Sequence, residues 1–313
     1  MQVNLAEAAD LLKRGKVVAI PTETVYGLAA DARNEDALRE IYAIKQRPAD
    51  NPLIVHIASS EQVLDWAETF SPLAQKLAKA FWPGPFTLVL PAKSAVSTIV
   101  RAGEPTVALR VPAHPIAQQL LQQTGLALAA PSANKYTQLS PTTVQHVEDG
   151  LGQYIPVLDG GACQVGIEST IVSVVGDQWQ LLRLGMILEA EIELIAGVAT
   201  ISEQKTLPKA PGQHLLHYSP KTPMQLFSSR EALIQATTTE TNCAALLIGD
   251  GKIDNGLTFN LPNNPAEMAE KLYDTLHQMD ALTVTKLLIE TPENSPEWSA
   301  IHDRLSRASY KVH

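Results

Sequence analysis

The sequence predicts an α/β protein of two layered domains, a larger one built on a mixed sheet and a smaller Rossmann-like one. Three observations carry this. Over residues 1–200, segments with helical apolar spacing alternate with short apolar runs of strand length. Over residues 201–223 that periodicity lapses, and Pro208, Pro211, Gly212, Pro220 and Pro223 give the stretch the stiffness of an interdomain linker. Over residues 224–313 the alternation resumes as β-α-β-α-β-α. At 313 residues the chain is long enough for each part to bury its own core.

Taken in order, leucines and alanines at helical spacing over residues 4–14 predict a helix capped by Asn4 and stopped by Gly15. The apolar run 17–20 predicts a buried strand ending at Pro21. Asn34 caps a helix over 35–44, and 53–57 reads as the next strand. Ser71-Pro72 opens a helix to about residue 82, because proline suits the first helical turn. Strands are expected over 86–90, 106–111 and 126–130, with a helix between the last two, then over 155–158, 169–175 and 179–184. Ser140-Pro141-Thr142 is expected to open a helix, with an N-cap as the competing, purely structural role for Ser140. In the smaller domain, strands over 224–227, 244–248 and 286–289 alternate with helices over 230–236 and 265–279, and a helix over 298–308 closes the chain. No G-x-G-x-x-G follows the first of these strands, so dinucleotide binding is not implied.

Composition narrows the function classes. The formal net charge is -9, and neither half carries a Lys/Arg run able to track a phosphodiester backbone, which disfavours extended nucleic-acid binding. No apolar run reaches the roughly 18 to 20 residues of a membrane span. The N-terminus has no basic region followed by an apolar stretch, so a cytoplasmic protein is expected. Cys163 and Cys243 lie outside any C-x-x-C spacing and read as reduced thiols. His214 and His217, without further clustered ligands, make a poor metal site.

Several motifs sit where α/β sheets bind ligands. Pro21-Thr22-Glu23-Thr24-Val25-Tyr26-Gly27-Leu28 packs hydroxyls, a carboxylate and a glycine into a turn at a strand's C-terminal end. Pro48 ends the following helix, which places Lys45 and Arg47 where they converge on an anion or answer the helix dipole. Arg110, at a strand end, can grip a carboxylate through two parallel hydrogen bonds or sit in a structural ion pair. Pro131-Ser132-Ala133-Asn134 follows another apolar run.

Together these motifs resemble the YrdC-like family. Pro21 to Leu28, Lys45-x-Arg47-Pro48-x-x-Asn51-Pro52-Leu53, Trp82-Pro83-Gly84-Pro85, Arg110-x-Pro112, Pro131-Ser132-Ala133-Asn134 and Glu168-Ser169-Thr170 occur in the family's order. Pro211-Gly212 and His217-Tyr218-Ser219-Pro220-Lys221-Thr222-Pro223 resemble the linker of its longer, two-domain branch. The resemblance implies a YrdC-like twisted mixed-sheet domain at 1–200, the linker at 201–223 and a small Rossmann-like domain at 224–313.

Members of that branch are threonylcarbamoyl-AMP synthases. The resemblance therefore implies a nucleotidyltransferase that joins L-threonine, bicarbonate and ATP, releases pyrophosphate, and feeds the tRNA threonylcarbamoyl-transfer machinery. By similarity, Thr24, His56, Arg110, Ala130 and Ser169 would hold threonine. Arg47, Asn51, Thr106, Ser132, Ser140, Arg183 and Tyr218 would line the ATP site, with Lys45 and Arg47 stabilising charge on the phosphoryl oxygens. Magnesium would arrive with ATP, without a metal site of the protein's own. The segment Lys135-Tyr136-Thr137-Gln138-Leu139 departs from the family pattern in lacking a glycine ahead of Ser140. Other departures are His214 and Leu216 where relatives are often basic, Ser173 for a frequent aspartate and Leu184 for a frequent proline. An RNA-binding module on the same fold, and an enzyme fed by carbamoyl phosphate, are the alternative readings.

Overall fold

The computed structural model describes residues 1–199, 208–212, 217–240 and 242–309. His214, Leu216 and the linker stretch 201–207 lie outside the described residues.

The first helix forms where its cap predicts. After β1 (Gln2–Val3), α1 (Leu5–Lys13) begins with a reciprocal capping box: Asn4 Oδ1 accepts from the Glu7 amide and Glu7 accepts from the Asn4 amide. β2 (Val18–Ile20) then turns through residues 21–26 into β3 (Gly27–Asp31), α2 (Glu35–Lys45) and β4 (Ile54–His56). Short α3 (Val63–Trp66), α4 (Pro72–Phe81, capped by Ser71), β5 (Phe86–Pro91), α5 (Thr98–Arg101) and β6 (Thr106–Arg110) follow. The domain continues with α6 (Pro115–Thr124), β7 (Leu128–Ala129), α7 (Val144–Leu151), β8 (Val157–Leu158), β9 (Thr170–Val175), β10 (Gln178–Arg183) and α8 (Glu189–Ala196).

These strands form one mixed sheet in the order β1-β8-β2-β3-β7-β4-β6-β5-β9-β10. Strand alternation sorts its two faces. Val18, Ile20 and Ala29 pack against α1 and α6, whereas Val17, Ala19, Leu28 and Ala30 pack against α2 and α7. Farther along, Val55, Leu88, Leu109 and Val172 bury themselves among the aromatics and leucines of α3 and α4. The opposite face of those strands carries Ile54, His56, Ala108 and Arg110, which lie outside that large apolar cluster. That face is the floor of a cavity.

The second sheet is smaller and parallel throughout, ordered β11-β14-β12-β13 from β11 (Met224–Phe227), β12 (Cys243–Ile248), β13 (Leu257–Leu261) and β14 (Lys286–Glu290). It is flanked by α9 (Arg230–Ala236), α10 (Pro265–Asp280) and α11 (Ser299–Ser309). The C-terminal core does not stop at its own sheet. Met268, Leu272, Tyr273 and Ile301 share one buried cluster with Val25, Leu139, Ile167 and Tyr218. The C-terminal domain is therefore seated on the rim of the cavity.

Three expectations need correction. The turn after Pro21 is shorter than its motif suggests, because Gly27 and Leu28 already belong to β3, paired antiparallel with β2. Ser140 is not a helix cap: α7 starts at Val144 and its cap is Thr143, whose hydroxyl accepts from the His146 amide. The smaller sheet has a fourth strand, β13, at its edge. Thr137 adopts φ 67°, a left-handed conformation that a β-branched residue tolerates poorly, and its carbonyl accepts from the Ser219 amide of the linker. Thr137→Gly is expected to raise stability by about 1 kcal/mol, read as a higher urea midpoint with an unchanged m-value.

Candidate active site

Nine of the sequence-predicted site residues line one cavity: Thr24, Arg47, His56, Arg110, Ala130, Ser132, Ser169, Arg183 and Tyr218. Strand geometry accounts for the grouping. His56 and Arg110 are directly paired in the parallel β4–β6 register, so both point to the same face. At β10 the register shifts between Leu181 and Arg183, and this bulge carries Arg183 to the cavity wall.

One side of the cavity suits an amino acid. The Arg110 guanidinium donates to Thr24 Oγ1 at 2.9 Å and to the Gly84 carbonyl at 3.2 Å, and it contacts Glu23 Oε1 at 2.7 Å. Burial pushes the Glu23 carboxyl up, but the Arg110 charge beside it works the other way, and the group is held below its usual range. His56 is depressed to about 3, first by burial and then by the Arg110 charge, so its imidazole is neutral near pH 7. Its Nδ1 has no hydrogen-bond partner among the described residues. Ser169 Oγ shares a 2.8 Å hydrogen bond with Thr87.

The other side suits an anion. Arg47 donates to Asn51 Oδ1 at 2.6 Å and to the Pro52 carbonyl at 2.8 Å, and its guanidinium lies 5.9 Å from the centre of the Tyr136 ring. Arg183 donates to the Ser169 carbonyl at 2.9 Å and to the Pro211 carbonyl at 3.1 Å. Among the described residues neither arginine forms an ion pair with a carboxylate, so two buried positive charges face the cavity with only neutral acceptors. Such a wall is poised for phosphate oxygens. Overhead, Tyr218 is buried with φ 61°, and Gly212 passes so close that a Cβ there would meet the Tyr218 hydroxyl at 2.4 Å. Only glycine allows the linker to lie this near.

Four predicted residues stand behind the wall. Lys45 is fully buried, and its ammonium donates to the Ser132 and Asn134 carbonyls at 2.5 and 2.6 Å. Asn51 braces Arg47, and Ser140 donates to Glu168 Oε1 at 2.6 Å. Thr106 shares a strand face with Arg110 but lies four residues away, about 13 Å along β6. Sequence reasoning passed over three functional partners. Glu23 and Glu168 stood inside quoted motifs without a role, and Arg304, which pairs with Glu168 at 2.7 Å, belongs to the far domain. A cation on the last amphipathic helix carries no sequence signal of its burial.

Comparison with known proteins follows the same division. A family model described as "Telomere recombination", covering Sua5, YciO and YrdC, matches residues 10–185, and the model "Threonylcarbamoyl-AMP synthase, C-terminal domain" matches residues 186–309. The threonylcarbamoyl-AMP synthase of Pyrococcus abyssi is 38% identical, with 97% of this chain and 94% of that protein aligned. That of Bacillus subtilis is 39% identical over 97% of this chain and 92% of that protein. The crystal structure of P. abyssi Sua5 complexed with L-threonine superposes with a TM-score of 0.90 at 36% identity, covering 100% of both chains. Matched along nearly its whole length, the chain belongs to the threonylcarbamoyl-AMP synthase family.

Proposed function

We propose that this chain condenses L-threonine, bicarbonate and ATP into threonylcarbamoyl-AMP, releasing pyrophosphate and water, and that the product is passed to the tRNA threonylcarbamoyl-transfer machinery. One observation carries the reading: Arg110 and His56 line the same cavity as Arg47 and Arg183, which among the described residues have no carboxylate partner. The threonine amine forms a C–N bond to bicarbonate with loss of water. A carbamate oxygen then attacks the α-phosphorus, and the bond to pyrophosphate breaks.

In this reading Arg110 takes the threonine carboxylate, Thr24 and Ser169 flank it, and Ala130 contributes a small apolar wall. Neutral His56 accepts a hydrogen bond from the substrate's hydroxyl or amine. Arg47, Arg183 and Ser132 hold the phosphates, and Tyr218 closes the roof. Asn51 and Ser140 support this wall, and Thr106 keeps the nucleotide role that the family resemblance implies. Magnesium enters with ATP as its counter-ion. Glu168, which lines the cavity, pairs with Arg304, Glu23 pairs with Arg110, and among the described residues no group of three potential ligands converges.

We assign residues 1–200 as the catalytic domain, 201–223 as the linker and 224–313 as the C-terminal domain. No described helix is long and apolar enough to cross a membrane, and a cytoplasmic setting is part of the proposal. Incubation with all three substrates is expected to yield pyrophosphate and, by mass spectrometry, threonylcarbamoyl-adenylate, with each product requiring both threonine and bicarbonate. Turnover with carbamoyl phosphate in place of both would overturn the reading in favour of a carbamoyl-phosphate enzyme. Tight, salt-sensitive tRNA binding without ATP would favour an RNA-binding module.

A further inference from the structure

We propose that Arg304 and Tyr273 of the C-terminal domain are positioning residues for the nucleotide side of the cavity, acting through Glu168 on Ser140 and through Tyr218 on the roof. The proposal rests on the functional reading above and gives the C-terminal domain a part in it.

Glu168 lines the cavity and is 6% exposed. Its two oxygens accept from both domains. Oε1 takes the Ser140 hydroxyl at 2.6 Å, while Oε2 takes Arg304 Nε at 2.7 Å and the Tyr273 hydroxyl at 3.2 Å. Arg304 is itself 1% exposed and fully engaged. Its Nη2 donates to the carbonyl of Leu184, the residue after Arg183, its Nη1 pairs with Asp303 at 2.6 Å, and its guanidinium lies 4.9 Å from the centre of the Tyr218 ring. One side chain from α11 thus fixes a cavity carboxylate, the backbone beside a cavity arginine and the linker tyrosine. His277 of α10 adds a 3.1 Å contact to the Ser140 carbonyl.

These contacts are one-sided. Among the described residues, α10 and α11 make no hydrogen bond to Thr24, His56 or Arg110. A role in positioning therefore predicts a selective effect on nucleotide use. The chemistry of Glu168 also supplies a signature that simple packing lacks. Burial pushes its carboxyl up, and Arg304, Arg183 and the Ser140 hydrogen bond hold it down and ionised. The groups facing it are Arg304 from α11, Tyr273 from α10, Arg183 from β10, Tyr218 from the linker and, at longer range, Lys45. Without Arg304 the largest influence opposing burial is lost, and the Glu168 carboxyl takes up a proton at a higher pH than in wild type. A neutral Glu168 no longer organises the Ser140 hydroxyl as an ion does.

The test uses the full chain and four variants: Arg304→Gln, Arg304→Lys, Tyr273→Phe and, as a control, Arg230→Gln. Arg230 pairs with Glu290 within the C-terminal sheet, away from Glu168. Rates of pyrophosphate release are measured against ATP and against threonine from about pH 6 to about pH 9, with thermal melts alongside. For Arg304→Gln the KM for ATP is expected to rise about tenfold or more, with the KM for threonine within about twofold of wild type. Its kcat/KM for ATP gains an acidic limb, so activity returns as pH rises, and Arg304→Lys removes much of that limb. Tyr273→Phe, which keeps the packing, raises the KM for ATP a few-fold.

Wild-type KM for ATP and an unchanged pH profile in folded Arg304→Gln and Tyr273→Phe would overturn the proposal. So would Arg230→Gln reproducing the same kinetic change, since that traces it to general loosening of the domain. Should Arg304→Gln fail to fold, Tyr273→Phe decides. If wild type releases no pyrophosphate, the functional reading itself fails, and calorimetric titration with ATP still decides whether Tyr273 and Arg304 support a nucleotide site.

Discussion

Arg110→Ala is expected to abolish measurable L-threonine binding and to cost about 3 to 5 kcal/mol of stability, because it removes one partner of a buried ion pair. The two losses have different origins, and a double variant separates them. Arg110 contacts Glu23 at 2.7 Å with both side chains less than a tenth exposed, so its removal strands a carboxylate in the interior. In Arg110→Ala/Glu23→Gln that charge is gone, and stability should recover while threonine binding does not. Arg110→Lys should restore neither fully, since an ammonium cannot reproduce the fork that reaches Thr24, Gly84 and Glu23 together.

The pH dependence reverses between the two proteins. In wild type the Glu23 pKa is lowered in the folded state, so this group's stabilisation is present above the unfolded value and lost as pH falls through the folded one. In Arg110→Ala burial, the largest influence on the group, is no longer opposed by the Arg110 charge and raises it, so the contribution is present below the unfolded value and lost as pH rises. Urea melts at about pH 5 and about pH 8 should therefore show a variant penalised more at the higher pH. A penalty of equal size at both would refute the assignment of the loss to Glu23.

The parts of the fold legible in the sequence are those fixed by neighbours in the chain. Asn4 with Glu7, and Ser71 with Pro72, give helix starts where the structure has them, because cap and recipient lie within one turn. β3 was hidden because Gly27-Leu28-Ala29-Ala30 has little β preference, and it is held by pairing to β2 and β7 on either side. β13 is an edge strand with half-exposed residues, too polar to read as an apolar run. Ser140 illustrates the limit most clearly. Ser-Pro-Thr ahead of a helix looks like a cap, yet the hydroxyl's partner is Glu168, which is near only in three dimensions. Arg304 could not be found at all from its own segment, since its burial is created by the other domain.

Lys45 and Arg47 were expected to act together, and the structure gives them different surroundings, from which different failures follow. Arg47→Ala removes a cation from the cavity wall, and kcat/KM for ATP is expected to fall about 10²- to 10³-fold with threonine affinity unchanged. Stability should fall as well, since the buried acceptors it releases, Asn51 Oδ1 and the Asn51 and Pro52 carbonyls, lose their donor, although among the described residues no carboxylate pairs with Arg47 and none is stranded. Lys45→Ala acts from behind. Burial, with the nearby Arg47 charge, depresses the lysine well below its usual value, and its ammonium ties down the Ser132 and Asn134 carbonyls. Without it two buried acceptors lose their donor, at about 1 to 3 kcal/mol each, and the turn that presents Ser132 loosens. Lys45→Ala should therefore lose stability and nucleotide affinity in parallel. A Lys45→Ala protein with the wild-type melting curve and an Arg47-like kinetic defect would place its ammonium on the phosphates instead, and Lys45 would then have to leave those carbonyls when ATP binds.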